Sequence, residues 1–407
     1  MKILFISHYF PPEGNAPAVR TFENCRRWAS LGHEVTVITG APNVPAGKVY
    51  EGYENRWRQE EEVDGIRVIR VWTYIAANKG FLRRIFNYLS FMLFSFWHGL
   101  WVPKPDVVIA TSPQFFCAVG GYFLARLRRR PFVFEVRDLY PESMKAVDAV
   151  NNAAIIKAVD MLVDHMYRRS KGIVVVTDSF KDVIAARGIG ADKIAVVKNG
   201  VDLDRFIPGP RENVVRKGLG RGVGFVVSYI GTVGMAHGLE IVLDAAERLK
   251  DRTEIHFLIV GDGAQREALE RSAAQSSLHN VMFVGRVPRD RVPDYIAASD
   301  VCLVTLRAGE LFETVLPSKM FELLAMSRPI IMSVKGEASR ILDASGGGVA
   351  VDPGRSDQLA DAVLRIQADP SEAARMGERG RKYVIEHFDR AALSDKYLDF
   401  LKQMIAG

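Results

Sequence analysis

Short apolar runs recur along the whole chain with helically spaced segments between them, and no other feature restricts the fold as much. KILFIS, EVTVITG, IRVIRVW, PDVVIATS, FVFEV and GIVVVTD occupy the first half. KIAVVKNG, GFVVSYIG, IHFLIVGDG, VMFVG, SDVCLVTL, RPIIMS and GGVAV occupy the second. Runs that are apolar throughout suit strands buried on both faces of a parallel sheet. Separators such as LEIVLDAAERLK supply the crossover helices. With 407 residues and 48% hydrophobic content, one core is too few and two doubly wound α/β domains are expected. NGVDLDRFIPGPREN, residues 199–213, breaks the pattern with Gly, Pro and charge. The domains are therefore drawn at 1–203 and 204–387, with a last helix over about 388–407 crossing back onto the first.

Several function classes lose ground at once. Cys25, Cys117 and Cys302 show neither disulfide nor zinc spacing, which fits a reducing cytoplasm. A net charge of +6 is too modest to argue for nucleic acid. MKILFISHYFPPEG reads as a buried first strand rather than a cleaved signal. Ile85 to Val102, IFNYLSFMLFSFWHGLWV, is 18 uncharged residues after Arg83 and Arg84. It falls where a crossover helix belongs, so a monotopic contact through Phe81 to Val102 is expected, led by Phe91, Phe94, Phe96, Trp97 and Trp101. LARLRRR, Leu124 to Arg130, adds basic charge. A fully buried aromatic helix is the alternative, because a run apolar all round gives no periodicity to read.

Candidate chemistry sits where strands give way to helices. Gly14 and Asn15 precede the first helix, where backbone amides suit a phosphate or a sugar, and a plain tight loop explains them equally well. Gly261 and Gly263 bracket Asp262 in a turn resembling part of a nicotinamide-cofactor fingerprint, without its third glycine. Gly231, Gly234 and Gly238 form a flexible turn that carries Thr232 and His237. In GELFETVLPSKMFELLAMSRPII, Lys319 and Glu322 share one helix face. The cation suits a diphosphate and the carboxylate suits ribose hydroxyls; a simple ion pair within the helix is the alternative. In EVRDLYPES, Glu135, Arg137 and Asp138 follow a buried strand, with Asp138 as the acceptor-side carboxylate. Mutual pairing of Arg137 and Asp138, or a helix cap, is the alternative there.

Taken in order, HYFPPEGNAPAVR, EVRDLYPES, VKNGVDLDRF, YIGTVGMAHGLE, VGDG, VGRVP and LPSKMFELLAMSRPII resemble the retaining family 4 glycosyltransferases of the GT-B fold, in particular their WbuB-like fucosamine transferase branch. That resemblance covers nearly the whole chain and implies two facing Rossmann-like domains with an interdomain cleft. It implies a UDP-sugar donor, no cofactor and no metal, and a polyprenyl-diphosphate-linked acceptor at the inner face of the cell membrane. By resemblance Gly14, Asn15, Thr232, His237, Arg286, Leu316, Lys319 and Glu322 bind the donor, and Asp138 and Glu313 are catalytic. Two positions depart from the family. The seven-residue spacing back from Glu322 gives Thr314, with Glu313 one place earlier, and Thr232 stands where many relatives carry a phosphate-binding Arg. The missing charge is then expected from Lys319, Arg286 or a protonated His237. Competing functions are a UDP-sugar epimerase of the same fold, a catalytically silent nucleotide-binding partner and a nicotinamide-dependent oxidoreductase. The absent full fingerprint weighs against the last.

Overall fold

A computed structural model of the chain describes residues 1–44, 47–75, 81–146, 152–220 and 224–406, except for the side chains at 81, 82, 145, 146 and 311. The chain divides into Met1–Lys198 with Ala391–Gly407, and Asn199–Arg390. The division thus falls ahead of residue 203. Val201 already belongs to the second unit, where it forms an isolated parallel bridge with Asp389.

The first unit is built on an eight-stranded sheet. Its strands are β1 (Lys2–Ile6), β2 (Glu34–Gly40), β3 (Arg58–Val63), β4 (Ile66–Val71), β5 (Val107–Thr111), β6 (Phe132–Val136), β7 (Gly172–Val175) and β8 (Ile194–Val196). They lie in the order β3-β4-β2-β1-β5-β6-β7-β8, and only β3 against β4 is antiparallel. Successive side chains bury into opposite faces: Leu4, Ile6, Val108 and Phe134 into one cluster, Ile3, Phe5, Ile109 and Val133 into the other. Burial on both faces is why these strands read as continuous apolar runs. Strand β3, RQEEEV, lacks such a run because it is a half-exposed edge. Its local signal is the Asp64-Gly65 turn, with φ of 49° and 76°, the positive pair that a two-residue hairpin requires.

The helix Phe81–Gly99 divides its apolar residues between the core and the surface. Phe91 is fully buried, and Phe94 and Phe96 are half-buried against the core. That corrects the expectation that all five aromatics reach outward. The exposed residues are Phe86, Leu93, Trp97 and Trp101, joined by Phe123 and Leu127 of the helix Phe115–Arg128. Arg83, Arg84, Lys104, Arg126 and Arg129 are exposed as well. Arg128 is occupied otherwise, its Nη atoms donating to the carbonyls of Gly99, Leu100 and Val102 at 2.7–2.9 Å. Among the described residues no helix is long and apolar enough to cross a membrane.

The last helix, Arg390–Ala406, closes the first unit. Tyr397 meets the Trp28 ring edge-on at 5.1 Å, and Trp28 Nε1 donates to the Ser394 carbonyl at 3.1 Å. The second unit carries a six-stranded, all-parallel sheet of β9 (Phe225–Ile230), β10 (Ile255–Val260), β11 (Val281–Gly285), β12 (Val301–Thr305), β13 (Ile330–Ser333) and β14 (Gly348–Ala350). Their order is β11-β10-β9-β12-β13-β14. Each sheet reverses its winding once, between β1 and β5 and between β9 and β12. Ligands of open α/β sheets bind outside the carboxyl ends of the strands at such a reversal.

Candidate functional site

In the second unit the β9 carboxyl end turns at Gly231, whose φ of 148° few side chains tolerate. A Cβ there would stand 2.7 Å from Lys319 Nζ, so the glycine lets an ammonium lie directly under the backbone. Lys319 opens the helix Lys319–Ala325, and its Nζ sits 3.8 Å from the centre of the Tyr229 ring. That Nζ is buried and meets no hydrogen-bond partner. Desolvation pulls it down to about 7, opposed by Glu322. Glu322, one turn along, is held above the usual carboxylate range by burial, against the pull of Arg390, Arg289, Arg205 and Lys319. Lys319 and Glu322 make no ion pair, which removes the plain helical-pair alternative.

His237 ends the short turn Met235–His237, and its carbonyl accepts from Thr305 Oγ1 at 2.7 Å. Its Nδ1 is buried without a partner. Burial and then Lys319 push the imidazole down to about 4, so at neutral pH it is uncharged. The expectation of a protonated His237 is therefore corrected. Thr232 is exposed, and its carbonyl accepts from the Tyr229 hydroxyl at 2.7 Å. Arg286 is exposed just past β11. Leu316 is 6% exposed and part of the core, so only its backbone could meet a ligand. Glu313 ends the short helix Glu310–Glu313, is exposed, and lines a shallow cavity with Arg307, Phe312 and Lys335.

VGDG has a packing explanation that needs no cofactor. A Cβ on Gly261 would overlap the Gly231 carbonyl, and one on Gly263 the Val233 carbonyl. Gly231 N donates to Val260 O and Val233 N to Asp262 O, so these glycines let two loops lie backbone to backbone. Asp202 is also accounted for: its Oδ1 accepts from Asp204 N and Arg205 N at 3.1 and 3.2 Å, a turn rather than a metal loop. Among the described residues no three of His, Cys, Asp and Glu cluster as metal ligands.

In the first unit Ser112, following β5, receives the backbone N–H of Arg137 and Asp138 on its Oγ at 2.7 and 3.1 Å. Asp138 is thereby fixed just past β6. Burial raises its carboxyl to about 6 while Arg137 draws it down, and the two form no ion pair. Glu135 is fully buried and accepts from Arg20 Nε at 2.9 Å. Arg20 also reaches the carbonyls of Val197 and Lys198. Glu135 is thus a structural member of the cluster. Gly14 has open space where a Cβ would stand, so tight packing does not require it. Asn15 caps the helix Ala16–Ser30, its Oδ1 accepting from Ala18 N at 2.9 Å.

Sequence reasoning missed Tyr229, Arg205, Arg289 and Arg390. Tyr229 reads as one more strand residue, and the three arginines converge on Glu322 from distant segments. Only Arg205, in VKNGVDLDRF, lies within a recognisable motif.

Known proteins share this architecture. The family described as Glycosyl transferase 4-like domain matches residues 15–200, and that described as Glycosyl transferases group 1 matches residues 224–369. The chain is 28% identical to WcaI of Escherichia coli strain K12, a glycosyl transferase named for colanic acid biosynthesis, over 82% of this chain and 84% of WcaI. Among solved structures it resembles the sucrose-phosphate synthase of Thermosynechococcus elongatus, with a TM-score of 0.75, 18% identity and 99% of both chains covered. It also resembles Anabaena Alr3699/HepE in complex with UDP and glucose, with a TM-score of 0.75, 17% identity and 99% of both chains covered.

Proposed function

Since the chain belongs to the family 4 glycosyltransferases of GT-B fold, we propose that it moves a sugar from UDP to a lipid-linked saccharide acceptor, with retention at the anomeric carbon, in surface glycan synthesis. The observation that carries this reading is the buried, unpartnered Lys319 ammonium beneath Gly231, with buried Glu322 one turn away. A diphosphate oxygen gives the ammonium the partner it lacks. Glu322 accepts the ribose hydroxyl protons. Thr232 and His237 supply hydrogen bonds rather than charge, and the counter-charge to the leaving diphosphate falls to Lys319 in place of a metal. Support for UDP comes from the HepE complex. The N-acetylamino sugar and the WbuB-like branch rest on the motif order alone.

Asp138 has the role of orienting the acceptor hydroxyl. A carboxyl near 6 is mostly ionised at neutral pH and can therefore accept a hydrogen bond from the acceptor hydroxyl. Same-face attack, with the leaving phosphate taking the proton, fits the absence of an assigned nucleophile, and Glu313 is the candidate contact to the donor sugar. A lipid-linked acceptor is supported by the exposed Phe86, Leu93, Trp97, Trp101, Phe123 and Leu127 with arginines around them, the composition of a surface that lies on anionic headgroups. The reading puts the protein on the inner face of the cell membrane.

Calorimetric titration of UDP, GDP and ADP into wild type, Lys319→Ala and Glu322→Ala tests the donor site. UDP binding in preference to GDP and ADP by wild type, and weakened in both variants, is the expected result. No nucleotide binding, or binding indifferent to both changes, overturns it. Sugar released from the donor without acceptor as an epimer would favour the epimerase reading.

A further inference from the structure

We propose that Tyr229 is a positioning residue for the phosphate-binding cation: its ring holds the Lys319 ammonium beneath Gly231, and an arriving nucleoside diphosphate draws a proton onto that amine. The inference rests on the donor-site reading above and concerns how that site becomes charged.

Each element packed around Lys319 Nζ contributes a group that leaves it without a hydrogen bond. From β9, the Tyr229 hydroxyl is engaged with the Thr232 carbonyl and burial raises it, so only the ring face addresses the amine. From the loop after β9, His237 is neutral and its buried Nδ1 is unpartnered. From its own helix, Glu322 is raised by burial and answers to Arg205, Arg289 and Arg390 as well. The negative face of an aromatic ring attracts a cation, and more so when both are desolvated. Among the described residues, the Tyr229 ring is therefore the group in direct contact that favours the charged amine. Glu322 also favours the charge, yet burial outweighs it and the amine titrates near 7.

A diphosphate oxygen under Gly231 adds the hydrogen bond and the negative charge the amine lacks. The bound amine is then protonated well above 7. The balance is simple: above neutral pH the free site holds R–NH2, binding takes one proton from solvent, and the complex holds R–NH3+ against phosphate. No bond within the nucleotide breaks.

Titrate UDP at pH 8, where its terminal phosphate, with a pKa of about 6, is already ionised. Use two buffers of different ionisation enthalpy, so that the heats count the protons. Wild type should take up about 0.9 proton, the neutral fraction of an amine titrating near 7. Its affinity should weaken about tenfold from pH 7.5 to 8.5. Lys319→Met should bind more weakly with no uptake, and His237→Asn should keep the uptake. Tyr229→Phe should keep both the uptake and the midpoint, while Tyr229→Leu should move the midpoint about one unit to acid. UDP binding to wild type without proton uptake overturns the proton step and leaves the donor site standing. A Tyr229→Leu protein weakened equally at every pH overturns the positioning role. Should Tyr229→Leu not fold, Tyr229→Trp replaces it, with a midpoint at or above that of wild type expected and an acid shift counting against the ring. Failure of UDP to bind wild type overturns the donor-site reading itself.

Discussion

The two sheets end in sites of opposite character. Outside β9 and β12 a single amine is buried without a hydrogen bond, next to a carboxylate held above its usual range. Outside β5 and β6 the polar groups are more numerous and partly tied down: Ser112 receives two backbone N–H groups, and Glu135 Oε1 is paired with Arg20. An unpaired buried group costs about 1–3 kcal/mol, more when charged. The second unit carries that cost where one ligand chemistry, a nucleoside diphosphate, repays it. The first unit ties down part of its polar cluster, leaving Glu135 Oε2 and Arg137 Nη1 buried without a hydrogen bond, and adds an apolar, cationic outer face. Under the proposed function, the difference teaches that the donor side would be complementary to one charge, and the acceptor side to a gradient of polarity.

The largest effect that can break this contrast is at Asp138. Asp138→Asn should lower kcat by about 10²-fold or more while UDP affinity stays as in wild type; a matching loss of UDP affinity would show that the two sites are not separate in function. Next, Glu322→Ala should weaken UDP binding by about 10- to 100-fold, the worth of a hydrogen bond to a charged group, in the same calorimetric titration. The pH profile of kcat/KM sharpens the contrast further. Asp138, raised to about 6, must be ionised, so activity should fall about tenfold per unit as pH drops below 6. Lys319, lowered to about 7, loses its charge as pH rises, so the alkaline limb should begin near 7 and vanish in Lys319→Met. A smaller effect is expected at the outer face. Trp97→Asp with Leu127→Asp should reduce co-sedimentation with anionic vesicles several-fold and leave UDP affinity unchanged. The smallest concerns Asp395, half-exposed in its pairing with Arg27, where Asp395→Ala should cost roughly 0.2–1 kcal/mol in denaturant unfolding.

The parallel sheets were legible because a strand covered on both faces has no polar side to hide, and KILFIS or FVFEV can then be little else. The edge strand β3 was not, since charge on a half-solvated edge looks like loop, although Asp64-Gly65 marked its hairpin. The helix Phe81–Gly99 defeated periodicity for the same reason that it has two faces to serve: it is apolar toward the core and apolar outward. At the site, Lys319 and Glu322 were legible as a spacing within one helix. What Lys319 rests on was not, because Tyr229 lies ninety residues earlier and only the fold brings a strand residue under a helix start. Gly261 and Gly263 show the converse. They drew the eye as a ligand turn, and their cause is the backbone of a neighbouring loop.

The way the chain crosses twice between its units has a consequence for its manufacture. Val201 N donates to Phe388 O, and Arg390 N to Val201 O, so the outgoing and returning segments run side by side. A ribosome therefore finishes the second unit, Asn199–Arg390, while the first still lacks its closing helix. Until Ser394 and Tyr397 emerge, Trp28 has the Phe5 ring beside it but neither its edge-on partner nor the acceptor for its Nε1, although the eight-stranded half was translated first. The usual order, in which the amino-terminal domain is complete ahead of later ones, does not hold for the cover of Trp28, which follows the whole second unit in the chain.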